Sequence, residues 1–239
     1  MSIRHKFLKG VRNPSQAIRY LWETYFLQTE QVFLNETTLR ELLWLDRLYT
    51  QIDEVPGHVV ELGVGPGTNA IIFGNLIKLY GDDEIRNYYG FDTFEGYTIE
   101  DLRSSPHLSA DAWKDLSRSA VSRTLRNHGV NEVTSLIEGD VKSVLPEWLE
   151  NADTPRRSPN SFHVALLYVD CNSYAAASHS LKALSDYVSP GGVVAVDELK
   201  QGGETRALRE FCEDQGTEFK KGTSPISHAP YTIMTSDNP

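Results

Sequence analysis

The chain of 239 residues is poor in the features that mark secreted, membrane-spanning and zinc-stabilised proteins. Its two cysteines, Cys171 and Cys212, cannot build a disulfide framework or a zinc site of the ribbon or finger type. No stretch approaches the ~20 apolar residues of a membrane-spanning helix. The segment from Met1 to Arg12 is basic but lacks the apolar core and cleavage site of a secretory signal. We therefore expect a cytoplasmic protein with no membrane partner.

Positive charge is scarce as well. The 23 lysine and arginine residues are outnumbered by 33 aspartate and glutamate residues, which gives a formal net charge of −10 and a pI of about 5.2. Such a surface disfavours non-specific attraction to a nucleic-acid backbone, so we expect no nucleic-acid partner. With 40% hydrophobic residues, the chain can still bury one substantial core.

The organisation of the chain indicates a helical segment followed by one α/β domain. Apolar side chains between residues 14 and 33 recur at helical spacing, which indicates a helix that packs on the domain or on another subunit. Pro56-Gly57 interrupts the chain after a second helix, predicted at 37–52. We therefore predict an N-terminal segment, 1–54, that serves oligomerisation or substrate cover, and a domain, 55–239. We also expect a homo-oligomer.

Beyond Pro56, apolar runs of strand length alternate with segments of helical period, as in a parallel sheet covered by helices. Strands are predicted at 58–62, 87–92, 133–137, 162–169 and 193–196, the last after a turn at Pro190-Gly191-Gly192. Helices are predicted at 68–80, 110–128, 174–187 and 204–214, with a shorter one that ends near 150. We predict a covering loop at 93–109, a linker at 151–160, and an antiparallel pair near 218–220 and 231–234.

A glycine-rich turn joins the first predicted strand to its helix, with the sequence Glu61-Leu62-Gly63-Val64-Gly65-Pro66-Gly67. Glycines let the backbone pass close to a ligand, and the helix start behind them offers N–H groups to an anion. A dinucleotide fingerprint requires a third glycine at position 68, where this chain has Thr68. The acid-led spacing is instead typical of S-adenosylmethionine (SAM) methyltransferases, so it favours a methyl donor over NAD.

A second acidic residue, Asp92, adds to Glu61 of the glycine turn as an indication of a nucleotide-like cofactor. Asp92 follows the apolar strand Tyr88-Tyr89-Gly90-Phe91. In a βαβ unit this position lies beside the glycine turn, where a carboxylate can accept hydrogen bonds from both ribose hydroxyls. The alternative is a tight turn with a solvated aspartate.

Carboxylates also end the two central strands, at Asp170 and at Asp197-Glu198. The carboxyl ends of parallel strands meet at the edge that holds the glycine turn, so these acids are expected to face the cofactor. Three gathered carboxylates repel one another unless they are protonated or bridged by a cation, and oxygen ligands suit Mg²⁺ or another hard divalent ion. Solvated or helix-capping acids are the alternative.

Taken in order, these motifs resemble the macrocin O-methyltransferase family over roughly residues 37–215. The matching segments are the turn 61–67, Phe91-Asp92-Thr93-Phe94-Glu95-Gly96, Glu138-Gly139-Asp140, Tyr168-Val169-Asp170, Ser189-Pro190-Gly191-Gly192 and Val196-Asp197-Glu198. The resemblance implies a Rossmann-like class I SAM methyltransferase: an α/β fold with a mostly parallel seven-stranded sheet, an antiparallel C-terminal strand, and N-terminal helices. It also implies a Mg²⁺-dependent O-methyltransferase that acts on a sugar hydroxyl of a natural product.

The resemblance further implies roles for individual residues. Asp170, Asp197 and Glu198 would hold the metal. Apart from the resemblance, we expect Asp170 to accept the proton of the substrate hydroxyl, and the competing base is a histidine: His107, His179 or His228. The cofactor-binding residues would be Glu61, Gly63, Gly65, Gly67, Asp92, Thr93, Phe94 and Asp140. Asp140 is expected near the adenine, and Phe94 either packs on that ring or belongs to the core.

Some positions depart from the family pattern. Asn172 and Glu198 each replace an aspartate that the family commonly carries, and Ser173 stands where catechol-type relatives place a lysine base.

Two other functions stay open, a methyltransferase for catechols or phenols and a non-catalytic SAM-binding module.

Overall fold

The computed structural model describes residues 35–150, 162–197, 202–222 and 226–235. The helices are α1 (Glu36–Thr50), α2 (Thr68–Tyr80), α3 (Ile99–Ser104), α4 (Arg118–Asn127), α5 (Val141–Glu150), α6 (Tyr174–Leu184) and α7 (Gly203–Gln215). The strands are β1 (His58–Leu62), β2 (Tyr88–Asp92), β3 (Thr134–Glu138), β4 (Val164–Val169), β5 (Val188–Val196), β6 (Lys220–Lys221) and β7 (Pro230–Ile233).

Seven strands form a single sheet in the order β3-β2-β1-β4-β5-β7-β6. The five strands from β3 to β5 run parallel, and β7 pairs antiparallel with both β5 and β6. The predicted fold class is confirmed: the sheet is mostly parallel and has one antiparallel strand at its C-terminal end. The predicted antiparallel pair near the end of the chain corresponds to β6 and β7.

The central strands are buried on both faces. All six residues of β4 are buried, as expected for an apolar run in the middle of a parallel sheet. Alternate residues belong to two separate apolar clusters, with Leu166 and Tyr168 in one and Leu167 and Val169 in the other. The first cluster includes side chains of α2 and α4, and the second includes side chains of α5, α6 and α7.

The chain between β2 and β3 differs from its prediction. The loop expected at 93–109 contains α3, which begins at a capping box in which Thr98 and Asp101 bind each other's backbone N–H groups. The helix expected at 110–128 begins only at Arg118, because Ser117 caps it by accepting a hydrogen bond from the N–H of Ala120.

Two further boundaries differ. The helix expected at 174–187 ends at Leu184 and continues as a short 3₁₀ turn at Ser185–Tyr187. Pro190-Gly191-Gly192 does not precede β5 as a turn but lies inside it. The pairing of β5 with β4 is irregular there, while Gly191 and Gly192 exchange backbone hydrogen bonds with Met234 beside β7.

The described residues belong to two compact units, which divide after Leu42. The predicted helix within 14–33 and the predicted linker at 151–160 lie outside the described residues. The roles of segment 1–54 and the homo-oligomer stay predictions. Across the ranges given above, no helix has both the length and the apolar character that crossing a membrane requires.

Candidate functional site

The register of the sheet brings the predicted site segments to one edge. Leu62 of β1 pairs with Phe91 of β2 and with Val169 of β4, and Val169 in turn pairs with Val196 of β5. The residues that follow these four positions, namely Gly63, Asp92, Asp170 and Asp197, therefore lie side by side at the carboxyl ends of the strands. This is the edge where open α/β sheets bind their ligands.

Gly63 and Gly67 are required by both conformation and space. Gly63 has φ +91°, and a Cβ atom there would collide with the backbone carbonyl of Asp170. Gly67 has φ +92°, and its Cβ atom would lie 2.8 Å from Cγ1 of Val121. The space beside Gly65 is open, since no heavy atom other than those of its two chain neighbours lies within 4 Å of the corresponding position. The turn thus packs tightly at both ends and leaves room above its centre.

Asp92 holds the glycine turn in place. Its Oδ2 atom accepts hydrogen bonds from the backbone N–H groups of Val64 and Gly65, both over 2.8 Å, and its Oδ1 atom accepts one from Phe94 over 2.7 Å. A carboxylate has about four acceptor positions, so this geometry leaves room for one further hydrogen bond. The sequence predicted a ribose acid at this position but not this bracing of the turn.

Thr93 and Phe94 form the bend after β2. Thr93 Oγ1 donates to the carbonyl of Gly96 over 2.6 Å and accepts from the N–H of Glu95 over 3.2 Å. Phe94 adopts φ +54° and is buried in the apolar cluster that includes α2. Its position matches the core alternative given in the sequence analysis.

Asp140 lies after β3 and begins α5. Its Oδ1 atom accepts a hydrogen bond from the N–H of Lys142 over 3.1 Å and forms an ion pair with the Lys142 ammonium over 3.2 Å. The same ammonium lies 3.4 Å from Asp101 and 3.6 Å from Glu100 on α3. The predicted adenine residue therefore belongs to a charged cluster that links α3 to α5.

Asp170 and Asp197 stand at the ends of β4 and β5. Asp170 is half-buried, and Asp197, which is exposed, accepts a hydrogen bond from the Tyr168 hydroxyl over 2.7 Å. Burial raises the pKa of Asp170 well above its usual range, and the negative charges of Asp197 and Glu204 act in the same direction. Glu198, the third predicted metal ligand, lies outside the described residues.

Two residues of this edge, Glu204 and Asn69, were not predicted from the sequence. Glu204 in the first turn of α7 is buried, and it accepts a hydrogen bond from the N–H of Asn172 over 2.5 Å. Asn69 in the first turn of α2 is also buried and donates to both Glu61 and Asp170. Each is an ordinary helix residue in the sequence, so no local signal distinguishes either of them.

Glu61 is fully buried at β1 and accepts hydrogen bonds from the hydroxyl of Tyr88 and from the amide of Asn69. Burial raises its pKa to about 8, and the neighbouring charges of Asp92 and Asp197 add to this effect. This edge of the sheet therefore concentrates acidic groups whose charged forms are destabilised.

The donor set of this edge consists of carboxylate oxygens, which suit a hard divalent cation better than zinc or copper. Asp170 and Asp197 lie close enough for the charge of one to raise the pKa of the other. In the part of the chain that the structure describes, no group of three or more histidine, cysteine, aspartate or glutamate side chains has the arrangement of a metal site. The two aspartates thus fit part of such a site.

Comparison with known proteins identifies relatives of this chain. The family model of macrocin-O-methyltransferase (TylF) matches residues 44–226. A tetracenomycin 4'-O-methyltransferase from Streptomyces olivaceus, which acts on a dimethoxy-rhamnosyl derivative, is 29% identical over 160 residues, or 61% of this chain and 54% of the relative. The mycinamicin III 3''-O-methyltransferase from Micromonospora griseorubida is 27% identical over 172 residues, or 69% of this chain and 63% of the relative. The chain thus spans between half and two thirds of the length of these curated relatives.

Solved structures share the fold. The calicheamicin methyltransferase CalS11 superposes with a TM-score of 0.70 at 25% identity, over 98% of this chain and 90% of that chain. The O-methyltransferase NovP superposes with a TM-score of 0.65 at 23% identity, over 82% of this chain and 80% of that chain.

Proposed function

This chain belongs to the macrocin O-methyltransferase family, and from that premise we propose that it transfers the methyl group of SAM to a sugar hydroxyl of a glycosylated natural product. The observation that carries the proposal is the contact between the two halves of the site. The glycine turn at Gly63 packs directly against the backbone of Asp170, so the predicted donor and acceptor residues share one edge of the sheet.

The curated relatives support a glycosylated natural product as the acceptor. Both are named as O-methyltransferases, one at position 4' of a rhamnosyl-tetracenomycin and the other at position 3'' of mycinamicin III. A sugar hydroxyl of a glycosylated natural product is therefore the acceptor that we propose for this chain.

The methionine end of SAM is proposed to lie over the glycine turn. The N-cap residue of α2 is Gly67, which has no side chain that could bond the N–H groups of the first helical turn. Helix N-termini attract anions through their N–H groups, so this one suits the carboxylate of the methionine moiety. The open space beside Gly65 allows a ligand to approach the backbone there.

The ribose is proposed to bind Asp92 through the acceptor position that its backbone partners leave free. Because three N–H groups already fix this carboxylate, it cannot rotate away from the turn. One strong hydrogen bond from a ribose hydroxyl is therefore expected, rather than the pair that the position after β2 suggests.

Asp170 is proposed to accept the proton of the reacting hydroxyl. As the oxygen attacks, the methyl group passes from sulfur to oxygen, the hydroxyl proton moves to the Asp170 carboxylate, and S-adenosylhomocysteine leaves as a neutral thioether. The Asp170 backbone packs against the glycine turn, so its carboxylate is a proton acceptor next to the proposed methyl-donor site. Alignment of the oxygen with the methyl carbon is worth roughly 7–11 kcal/mol in well-oriented reactions of this kind.

A divalent cation such as Mg²⁺ is proposed to bind Asp170 and Asp197. It would act as a Lewis acid that lowers the pKa of a bound hydroxyl. Tyr168 donates to Asp197 and so orients one of these two carboxylates toward the edge of the sheet.

The experiment is a methyl-transfer assay with purified protein, SAM and a panel of acceptors. The panel contains deoxysugar glycosides, nucleotide-linked sugars and catechols, and S-adenosylhomocysteine is quantified by mass spectrometry. Transfer to a sugar hydroxyl supports the proposal. Transfer only to catechols, or SAM binding with no transfer to any acceptor, contradicts it and favours a phenol methyltransferase or a non-catalytic SAM-binding module, respectively.

A further inference from the structure

A buried amide connects the cofactor turn to the proposed catalytic acid. Asn69 lies in the first turn of α2 and is 6% exposed. Its Nδ2 atom donates two hydrogen bonds, one to Glu61 Oε1 over 2.8 Å and one to Asp170 Oδ2 over 3.1 Å. A single side chain thus links the end of β1 to the end of β4.

The chemistry of the two partners determines how this amide is oriented. An amide nitrogen has two hydrogens to donate, and each of the two carboxyl oxygens that face it has a lone pair to accept one. Both are used here, which leaves the Oδ1 atom of Asn69 buried without a hydrogen-bond partner among the described residues. An unpaired buried acceptor costs free energy, so this arrangement is unfavourable for stability by itself.

The Glu61 end of this hydrogen-bonded link is rigid. Glu61 is fully buried, and its second oxygen accepts a hydrogen bond from the hydroxyl of Tyr88, which is itself buried on β2. Rotation of Glu61 would break this bond and leave polar atoms without partners in the core. Asn69 therefore ties Asp170 to a fixed point inside the sheet.

We propose that Asn69 is a positioning residue that holds the Asp170 carboxylate for methyl transfer. This inference rests on the proposed function, because it assumes that Asp170 receives the proton of the acceptor. Since Asn69 occupies Oδ2, the other oxygen, Oδ1, is the one presented to the acceptor hydroxyl. Asn69 itself touches neither the acceptor nor the methyl group in this arrangement.

The test compares Asn69→Ala with Asn75→Ala, a control on the same helix. Asn75 is exposed, and its amide donates only to the carbonyl of Ile71 over 2.8 Å. We expect Asn69→Ala to lower kcat by roughly 10- to 100-fold, while the Kd for SAM and the KM for the acceptor stay within about threefold of the wild type. Asn75→Ala is expected to leave all three constants unchanged. A kcat within about twofold of the wild type in Asn69→Ala, or a loss that follows the Kd for SAM, overturns the proposal.

Crystal structures of the wild type and of Asn69→Ala give a readout that does not depend on activity. We expect the Asp170 carboxylate to leave its wild-type rotamer in the variant, whereas an unmoved carboxylate overturns the proposal. If the wild type methylates no acceptor and the carboxylate still moves, the proposed function fails while the positioning role stands. Asn69→Leu, which fills the same volume, replaces the alanine variant if a thermal melt shows that the latter is unfolded.

Discussion

The backbone N–H of Gly65 donates a hydrogen bond to the Oδ2 atom of Asp92 over 2.8 Å, although the two residues lie 27 positions apart in the sequence. Asp92 therefore acts on the cofactor site in two ways. It offers an acceptor to the ribose under the proposed function, and it fixes the backbone over which the methionine end would lie. Removal of the Asp92 side chain is expected to affect both ribose binding and the conformation of the glycine turn.

Asp92→Ala is predicted to weaken SAM binding by roughly 10- to 100-fold, because hydrogen bonds to a charged group are each worth about 1.5–3 kcal/mol. The measurement is isothermal titration calorimetry, with circular dichroism to verify that the fold survives. Asp83→Asn is a suitable control, since Asp83 is exposed and lies before β2, at the opposite edge of the sheet. Undiminished affinity in Asp92→Ala would mean that the cofactor lies elsewhere.

Asp170→Asn is predicted to abolish detectable methyl transfer while the Kd for SAM stays within a few-fold of the wild type. The amide keeps the shape of the carboxylate but cannot accept the proton, and loss of a general base typically costs roughly 10²–10⁴-fold in rate. Single-turnover assays with a responsive acceptor measure the chemical step directly. Turnover at the wild-type rate would refute the role of Asp170.

Methyl transfer is predicted to stop in EDTA and to return when Mg²⁺ is added in excess. Asp170 and Asp197 provide hard oxygen ligands, which favour Mg²⁺ over softer metals. The assay records initial rates before chelation, after chelation and after addition of the metal. Full turnover in the chelator would instead leave Asp170 to act without a cation.

Protein stability is predicted to fall as the pH rises from about 4.5 to about 8, through the titration of Glu61. Burial raises the pKa of Glu61 from 4.5 to about 8, so the folded protein retains a proton that the unfolded chain has already released. The free energy of unfolding then decreases with pH, by at most about 1.4 kcal/mol per pH unit from this group. Below pH 4.5 both states hold the proton, and the contribution of this group is constant.

Glu61→Gln is expected to flatten this dependence, because the amide is neutral throughout the range. Urea denaturation at several pH values gives the free energies, and Glu84→Gln, at an exposed position, is the control. An unchanged slope in Glu61→Gln would show that Glu61 is ionised in the folded protein near neutral pH.

Lys142→Met is predicted to lower the free energy of unfolding by about 2–3 kcal/mol, because it leaves buried Asp101 without its cation. The Lys142 side chain is 13% exposed, whereas that of Lys114, which pairs with Asp111 over 3.0 Å, is 52% exposed. Lys114→Met is therefore a matched control and should change stability by less than about 0.5 kcal/mol. Urea denaturation of both variants measures the difference, and equal effects would contradict the prediction.

The strands and the glycine turn were predictable because their signals are local. The run before Gly63 has the apolar character of a buried strand, and positive φ angles at Gly63 and Gly67 explain why glycines occur there. The capping box of Thr98 and Asp101 was equally visible in the sequence, but the short helix α3 has too few residues to show a helical period.

The hydrogen bond and the neighbouring charges around Asp170 were not predictable from local spacing. Asn69 follows the glycine turn as an ordinary helix residue, and only the pairing of β1 with β4 brings its partners together. Glu204 likewise begins a helix, a position where acids are common for reasons unrelated to catalysis. Such contacts depend on tertiary packing, which the sequence pattern does not specify.

The close packing of Gly63 on the main chain of Asp170 has a consequence for engineering. Under the proposed function, the spacing between methyl donor and acceptor is set by two stretches of backbone that touch without an intervening side chain. Randomising the exposed side chains between Pro106 and Asp115 would leave this spacing intact, and it would also keep the helix-capping residues Asp101 and Ser117. A mutant library for new glycosides should therefore diversify those exposed positions and keep residues 61–67 and 168–170 constant.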